Sequence, residues 1–325
     1  MPPKTKKFLS LSLKLIIIGL ACWFIYKEIF YDRELANIRQ YFLRIFDSPQ
    51  SMGFLIAAAL LMPINWGIEA VKWRFLIKKI ESVSFRRSFA AVLSGVTVST
   101  FTPNRIGEFA GRIFYLSRAD RIKGALITII GSISQMLMTI VIGSLCLLLF
   151  LFLYPKVVIS DYLLYLLAFL ILLVDALLVL LFLNSHLLSV ALGKIAFLSK
   201  YRKYVAVFSY YTSWELFSVL LMSFMRYLVF AFQFFLLLKV FDVHVAGIEA
   251  VIAIPVTFLA VTLIPTIAPM EMGVREFFAL QFIGAFSAAT LGIVSASFTL
   301  WLINLAAASI IGAIFVFGLK FFRQN

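Results

Sequence analysis

The sequence predicts an all-α integral membrane fold, with six full transmembrane helices and two re-entrant helical hairpins arranged as an inverted repeat. Three observations lead there. The chain is 63% hydrophobic and 14% charged, with a mean hydropathy of +1.05, whereas soluble domains run to about 45–50% apolar and about 25% charged. Six apolar runs, at about 9–30, 52–75, 124–153, 162–183, 214–238 and 290–319, reach the roughly 20 residues that span hydrocarbon. Two further hydrophobic segments, 88–118 and 249–286, are interrupted by proline, glycine and paired charges. Non-helical backbone survives at membrane depth only where protein or a water-filled cavity surrounds it, since each unpaired backbone group there costs several kcal/mol.

The elements follow in chain order. Lys4, Lys6 and Lys7 precede the first run, but Trp23 and Phe24 replace the small residues of a cleavage site, so 9–30 reads as a retained span. Basic residues dominate 1–14, 72–87, 112–123 and 185–212, with four, six, four and four Lys or Arg against at most one acid each. By the positive-inside rule these connections are cytoplasmic, as are both termini; the balanced or acidic connections 31–50, 154–161 and 239–249 face outward. The alternation closes only if 88–118 enters and leaves from the cytoplasm and 249–286 from outside.

Span, hairpin and span over 52–153 then correspond, inverted, to span, hairpin and span over 214–319, with 162–183 linking the halves. Inverted repeats whose broken helices meet near the midplane are the architecture of many secondary transporters. The longest polar stretch, Asn184 to Ser213, is too short for a soluble domain, so 1–325 reads as one polytopic membrane domain.

Composition also narrows the chemistry. Cys22 and Cys146 sit in apolar runs, and the two histidines, His186 and His244, lie between spans, so thiolate or histidine metal centres have almost no material. No cofactor and no metal site is expected. The formal charge of +14 is spread through short loops rather than along one face, which argues for topology and against nucleic acid.

The candidate site lies in the two breaks. In the first, Pro103 cannot join a helix ladder and Gly107 permits a tight turn, so one helix should stop near Thr102 and another start near Arg105, capped by Thr102 or Asn104. Glu108 and Arg112 follow at the i,i+4 spacing of a helical ion pair. In the second, Pro265, Pro269 and Gly273 mark the break, and Glu271 and Arg275 repeat the spacing, with Glu276 adjoining. One reading gives Arg105, Arg112 and Arg275, with the positive ends of the half-helices, an anionic headgroup to hold, while Glu108, Glu271 and Glu276 steady the arginines or bind a cation. The other is that each Glu and Arg neutralise one another so that a hairpin can be buried.

Three more charges fall within spans. Glu69 reads either as a coupling or counter-ion group or, the plainer reading, as part of an interfacial Trp-Arg anchor, pairing locally with Lys72 or Arg74. Asp175 is a lone acid that serves either as a proton or counter-ion group, with Arg226 as partner, or as an interhelical hydrogen-bonding group. Gln135 with Gly131, Ser132 and Ser134, and Ala306 to Ser309 with Gly312, read as close-packing surfaces.

These features, namely Lys72-Trp73-Arg74-Phe75-Leu76 closing the second span, the basic loop after it, the Thr102 to Glu108 break and the Gly273 to Glu276 break, resemble the lysylphosphatidylglycerol synthase transmembrane region, or flippase-like, family. The resemblance covers nearly the whole chain. It implies the membrane half of the multiple-peptide-resistance enzymes, held to move lipid between leaflets, without their soluble transferase domain, so synthase activity is not expected. The expected function is flippase-like transport of an anionic or aminoacylated phospholipid or a polyprenyl-phosphate-linked lipid in the plasma (inner) membrane. The alternatives are a lipid-modifying transferase using Glu108 or Glu271 as base, and a non-transporting assembly subunit. Expected partners are a lipid headgroup and the bilayer, with a homo-oligomer allowed and nucleic acid excluded.

Overall fold

The computed structural model describes residues 48–100, 102, 106–154, 160–184, 206–264 and 268–317. The span at 9–30, both termini, most of the 185–212 loop, and Pro103, Arg105 and Pro265 lie outside the described residues. Those described are helical throughout their regular structure: α1 (Pro49–Ile77), α2 (Phe85–Ser99), α3 (Gly107–Ile113), α4 (Arg121–Leu153), α5 (Asp161–Leu183), α6 (Ser213–Val240), α7 (Gly247–Leu263), α8 (Ala268–Phe282), α9 (Thr290–Trp301) and α10 (Ala308–Phe317). A π-helical stretch, Leu302–Ala307, joins α9 to α10.

Starts are set by local chemistry. Ser48 accepts from the Ser51 amide at 3.3 Å and Pro49 occupies the first turn of α1, where a missing N–H is harmless. Asp120 accepts from Ile122 at 2.8 Å at the head of α4, and Thr212 with Glu215 forms a reciprocal capping box on α6. Five helices, Pro49–Ile77, Arg121–Leu153, Asp161–Leu183, Ser213–Val240 and Thr290–Val316, are long and apolar enough to cross a membrane. They coincide with five of the six expected spans.

The two broken segments form helix pairs. In the first, α3 folds back antiparallel on α2, and the approach is so close that a Cβ on Gly111 would lie 2.5 Å from the Gly95 Cα. Gly107 is required for the same reason: its Cβ would meet the Val98 carbonyl oxygen at 2.4 Å. Its backbone is ordinary, since no described glycine has a positive φ, so the contact rather than turn geometry demands glycine. Thr102 Oγ1 accepts from the Gly107 amide at 2.9 Å, supplying the expected cap from outside the helix, which starts two residues later than anticipated.

Glu81, in the α1–α2 connection, fastens the other end of this pair. Its carboxylate accepts the backbone amides of Ser117, Arg118 and Ala119 at 2.8–3.0 Å. In the second pair α7 ends at Leu263 and α8 begins at Ala268. Pro269 is the second residue of α8 and Gly273 lies inside it with open space where a Cβ would go, so neither makes the break as expected. A proline in the first turn loses no hydrogen bond, and one glycine within a helix costs only about 1 kcal/mol.

Contacts between the halves are exchanged. α1 lies along α6; α4 packs on α7 of the second pair, while α10 packs on α2 of the first. Glycine makes both approaches possible, Gly143 against Leu259 and the Pro255 carbonyl, Gly312 against the Leu93 carbonyl. The packing role expected for Ser309 and Gly312 is realised, with Thr97 Oγ1 donating to the Ser309 carbonyl at 2.8 Å. α5 stands at the margin, with mostly exposed apolar side chains.

Gly111→Ala should lower stability by about 1–3 kcal/mol, because backbone blocks the new methyl, whereas Gly273→Ala should be neutral or gain up to about 1 kcal/mol; thermal melting in detergent checks the contrast, and equal melting points would refute the close approach. The three amides outweigh burial and hold the Glu81 carboxyl below its ordinary 4.5. Its stabilisation is therefore complete above that value and is lost as pH falls through and below it. Glu81→Gln should flatten the acid side of the melting-temperature profile.

Candidate functional site

Seven charged side chains gather where the two helix pairs meet α1 and α6. Glu69, 4% exposed, lies at the centre of the described network: its carboxylate contacts Lys72 Nζ at 2.9 Å, Arg112 Nη1 at 2.9 Å and Arg226 Nη1 at 3.4 Å. Arg112 also pairs with Glu108, so one guanidinium ties α3 to α1 as well as to its own helix. Lys72 donates further to the Gly131 carbonyl at 3.1 Å and Ser223 Oγ at 3.2 Å. Arg226 reaches Gln135 Oε1 at 3.3 Å and lies over the Trp66 ring at 4.9 Å. On α8, Arg275 pairs with Glu271 at 2.6 Å and covers the Phe230 ring at 5.6 Å.

Two joined cavities open among these groups. The larger, of about 510 Å³, is bounded by Glu69 and Lys72 of α1, Glu108 and Phe109 of α3, Gln135 of α4, Arg226 of α6, and Ile264 and Glu271 from the second pair. The smaller, of about 190 Å³, shares Trp66, Gln135, Arg226 and Glu271 with it and extends past Arg275 to Asn65, Tyr227 and Asn304. Both helix pairs thus contribute charged side chains to one polar space inside an otherwise apolar bundle.

Glu108, Glu271 and Arg275 stand in these walls as expected, with Glu69 and Arg226 beside them. Arg112 does not: at 1% exposure it sits behind the wall, clamped by two carboxylates. Glu276 is half-buried and outside both linings. Glu69 is no local interfacial anchor. Lys72 is a partner, but Arg74 instead donates to the Val83 carbonyl at 3.0 Å, because the helix turns Glu69 inward, toward α3 and α6. Asp175 does not meet Arg226; it accepts from Ser144 Oγ at 2.5 Å, the interhelical alternative, while Arg226 is drawn to Glu69. Lys72 and Arg112, counted with the cytoplasmic loops, are both 1% exposed; Arg74, Lys78, Lys79, Arg86 and Arg87 keep the first loop basic, and Arg118, Arg121 and Lys123 the other.

Sequence reasoning missed the amides. Asn65 donates to Asn304 Oδ1 at 3.0 Å, Asn304 to Gln233 Oε1 at 3.2 Å, and Gln233 to the Ala58 carbonyl at 2.8 Å, a buried chain linking α1, the π-helical stretch and α6. Polar residues inside long apolar runs were the available signal. Gln135, read as packing, is instead a wall residue of both cavities. Three uncharged wall residues carry buried polar atoms with no hydrogen-bond partner among the described residues, namely Asn65 Oδ1, Trp66 Nε1 and Tyr227 Oη. Each such group costs about 1–3 kcal/mol unless a ligand or water meets it. Among the described residues no group of three or more His, Cys, Asp or Glu could hold a metal ion.

Long apolar helices around a charge-lined cavity define a polytopic helical membrane protein with a polar site among its helices. The model of the lysylphosphatidylglycerol synthase transmembrane region matches residues 11–321, and the chain belongs to that family. No curated protein and no solved structure matches it significantly. Membership connects the chain with membrane lipid.

Glu69→Gln would leave Lys72, Arg112 and Arg226 facing one another, with an expected loss of about 3–5 kcal/mol. Adding Arg112→Met should restore part of it, and a double-mutant cycle by thermal melting measures the coupling. Additive losses would show that the two groups act separately.

Proposed function

We propose that this protein is a flippase-like lipid transporter that receives an anionic headgroup in the joined cavities and passes it between leaflets while the acyl chains remain in hydrocarbon. The observation that carries this reading is the convergence of both broken helix pairs on one polar cavity. Four cations, Lys72, Arg112, Arg226 and Arg275, face three carboxylates, Glu69, Glu108 and Glu271, among the described residues of the cluster. The guanidinium groups of Arg226 and Arg275 in the cavity wall can give an anion charge-assisted hydrogen bonds. A charged headgroup crossing bare hydrocarbon meets a barrier of several kcal/mol or more, which fixed charges and amides within a cavity lower.

In the same reading the chain has six full spans, and the helix pairs are re-entrant hairpins entering from opposite faces. The exchanged packing, α4 on α7 and α10 on α2, is what two halves related by a two-fold axis in the membrane plane would make. Rocking one half against the other would expose the cavity alternately to each leaflet. The reading puts the protein in the plasma (inner) membrane with cytoplasmic termini, on the charge bias of its connections, and gives Glu108 and Glu271 no covalent step.

Purified protein in liposomes carrying fluorescent anionic lipids should exchange them between leaflets, measured by dithionite quenching, without changing the lipid species. Arg275→Ala and Arg226→Ala should each lower the rate by about tenfold or more, one lost charge-assisted contact being worth about 1.5–3 kcal/mol, while Asp175→Asn, whose side chain lines neither cavity, should leave it unchanged. A chemically altered lipid would favour a transferase, and unaffected exchange in both arginine variants would overturn the assigned site.

A further inference from the structure

Resting on that transport reading, we propose that the π-helical stretch Leu302–Ala307 is the hinge of alternating access, about which α10 and the first helix pair move as one body against α9, α6 and the second pair. The two flanks of this stretch belong to different packing units. α10 packs chiefly on α2, and polar contacts fasten it there. Thr97 Oγ1 donates to the Ser309 carbonyl at 2.8 Å, the Thr100 and Ser309 hydroxyls bond at 2.7 Å, and Tyr115 Oη, just past α3, donates to the Phe315 carbonyl at 3.0 Å. α9 packs instead on α6 and α8, with Gly292 so close to the end of α6 that a Cβ there would lie 2.7 Å from the Phe241 carbonyl oxygen. One membrane span thus has each half held by a different unit, and any movement between those units must bend it where they meet.

The joint has the chemistry of a bend. Sharp kinks in helices fall mainly at prolines, at glycine–serine pairs and at π-bulges, where the regular ladder of hydrogen bonds is already interrupted. No proline falls between Thr290 and Val316, so the π-helical stretch is where this span can yield. α4, its counterpart in the proposed repeat, is α-helical from Arg121 to Leu153, which puts the bend on the side of the first pair alone. The pivot itself is fixed. Asn304, within the stretch, accepts from Asn65 Nδ2 of α1 at 3.0 Å, and its own amide group donates to Gln233 Oε1 of α6 and to the Leu300 carbonyl, both at 3.2 Å. A rotation displaces least what lies nearest its pivot. Glu69 stands one turn from Asn65 on the same face of α1, so its pair with Arg112 of the moving body can persist while the far end of α10 swings. Asn65 and Asn304 also line the smaller cavity, which places the pivot at the site around which access alternates.

Two measurements on the full chain in liposomes test the hinge, beside leaflet exchange of fluorescent phosphatidylglycerol, with Cys22→Ala and Cys146→Ala as background. In the first, Thr100→Cys with Ser309→Cys allows a disulfide between α2 and α10, because the parent hydroxyls already touch. The two helices move together, so the oxidised protein is expected to exchange lipid at the rate of its reduced form; slower exchange that reduction restores would show the helices parting and overturn the hinge. In the second, spin labels on Ile314→Cys and Phe217→Cys report α10 against α6, and labels on Leu291→Cys and Phe232→Cys report α9 against α6, all four side chains being exposed and outside both cavities. Double electron–electron resonance should give the first pair of labels two distances, or one that shifts between phosphatidylcholine and phosphatidylglycerol liposomes, and the second pair one fixed distance. A single unchanging distance in the first pair of labels, or equal shifts in both, would refute the hinge and leave measured exchange standing. A bend seen by the labels without any lipid exchange in the parent protein would instead overturn the transport reading beneath it and keep the joint.

Discussion

The burial of one carboxylate, Glu69, against three cations is the constraint on which the rest of the structure turns. Lys72, Arg112 and Arg226 come from α1, α3 and α6, so the full set of contacts to Glu69 forms only when the three helices are assembled. Desolvating two ions costs several kcal/mol each, and their attraction repays this only when geometry and the remaining hydrogen bonds are satisfied. Here they are largely satisfied: Lys72 finds Gly131 and Ser223, Arg112 finds Glu108, and Arg226 finds Gln135 and the Trp66 face. The cluster favours one arrangement of helices, because a slip of α3 along α1 would break the buried Arg112–Glu69 pair.

Glycine makes that arrangement reachable. Arg112 can reach Glu69 because α3 lies almost in backbone contact with α2, through Gly95 and Gly111. Without a hydrophobic drive between helices in lipid, such close packing is a main source of association. The exchanged contacts of α4 with α7 and α10 with α2, each made through a glycine, repeat the device in both halves. The described packing is therefore tight where the halves interlock and open where the charged walls converge, which is what a site that must admit a polar group requires.

A division also runs through the site between groups that hold and groups that can receive. Arg112 sits behind the wall, whereas Arg226 and Arg275 are in it, each backed by an aromatic ring. The amide chain from Asn65 through Asn304 to Gln233 passes through a π-helical stretch, a local widening often found at functional positions. It places the uncharged polar side chains of Asn65 and Asn304 in the wall of the smaller cavity, beside Arg226 and Arg275.

Hydropathy and residue spacing along the chain were enough for five described spans, for the division of both interrupted segments into helix pairs and for the Glu108–Arg112 and Glu271–Arg275 pairs, since these depend on neighbours within a turn or on the length of an apolar run. Thr102 as a cap was legible for the same reason. Packing alone decided the remainder. Glu69 looked like a local anchor because its i+3 and i+5 neighbours are basic, and nothing in one helix reveals that Arg112 and Arg226 arrive from elsewhere. Lys72 and Arg112 looked like loop charges, yet long side chains near a helix end turn inward when a carboxylate waits there. Asp175 and Arg226 were both plausible partners in one dimension. Which acid an arginine meets is set by the faces that helices turn toward one another, and that information exists only once they have assembled.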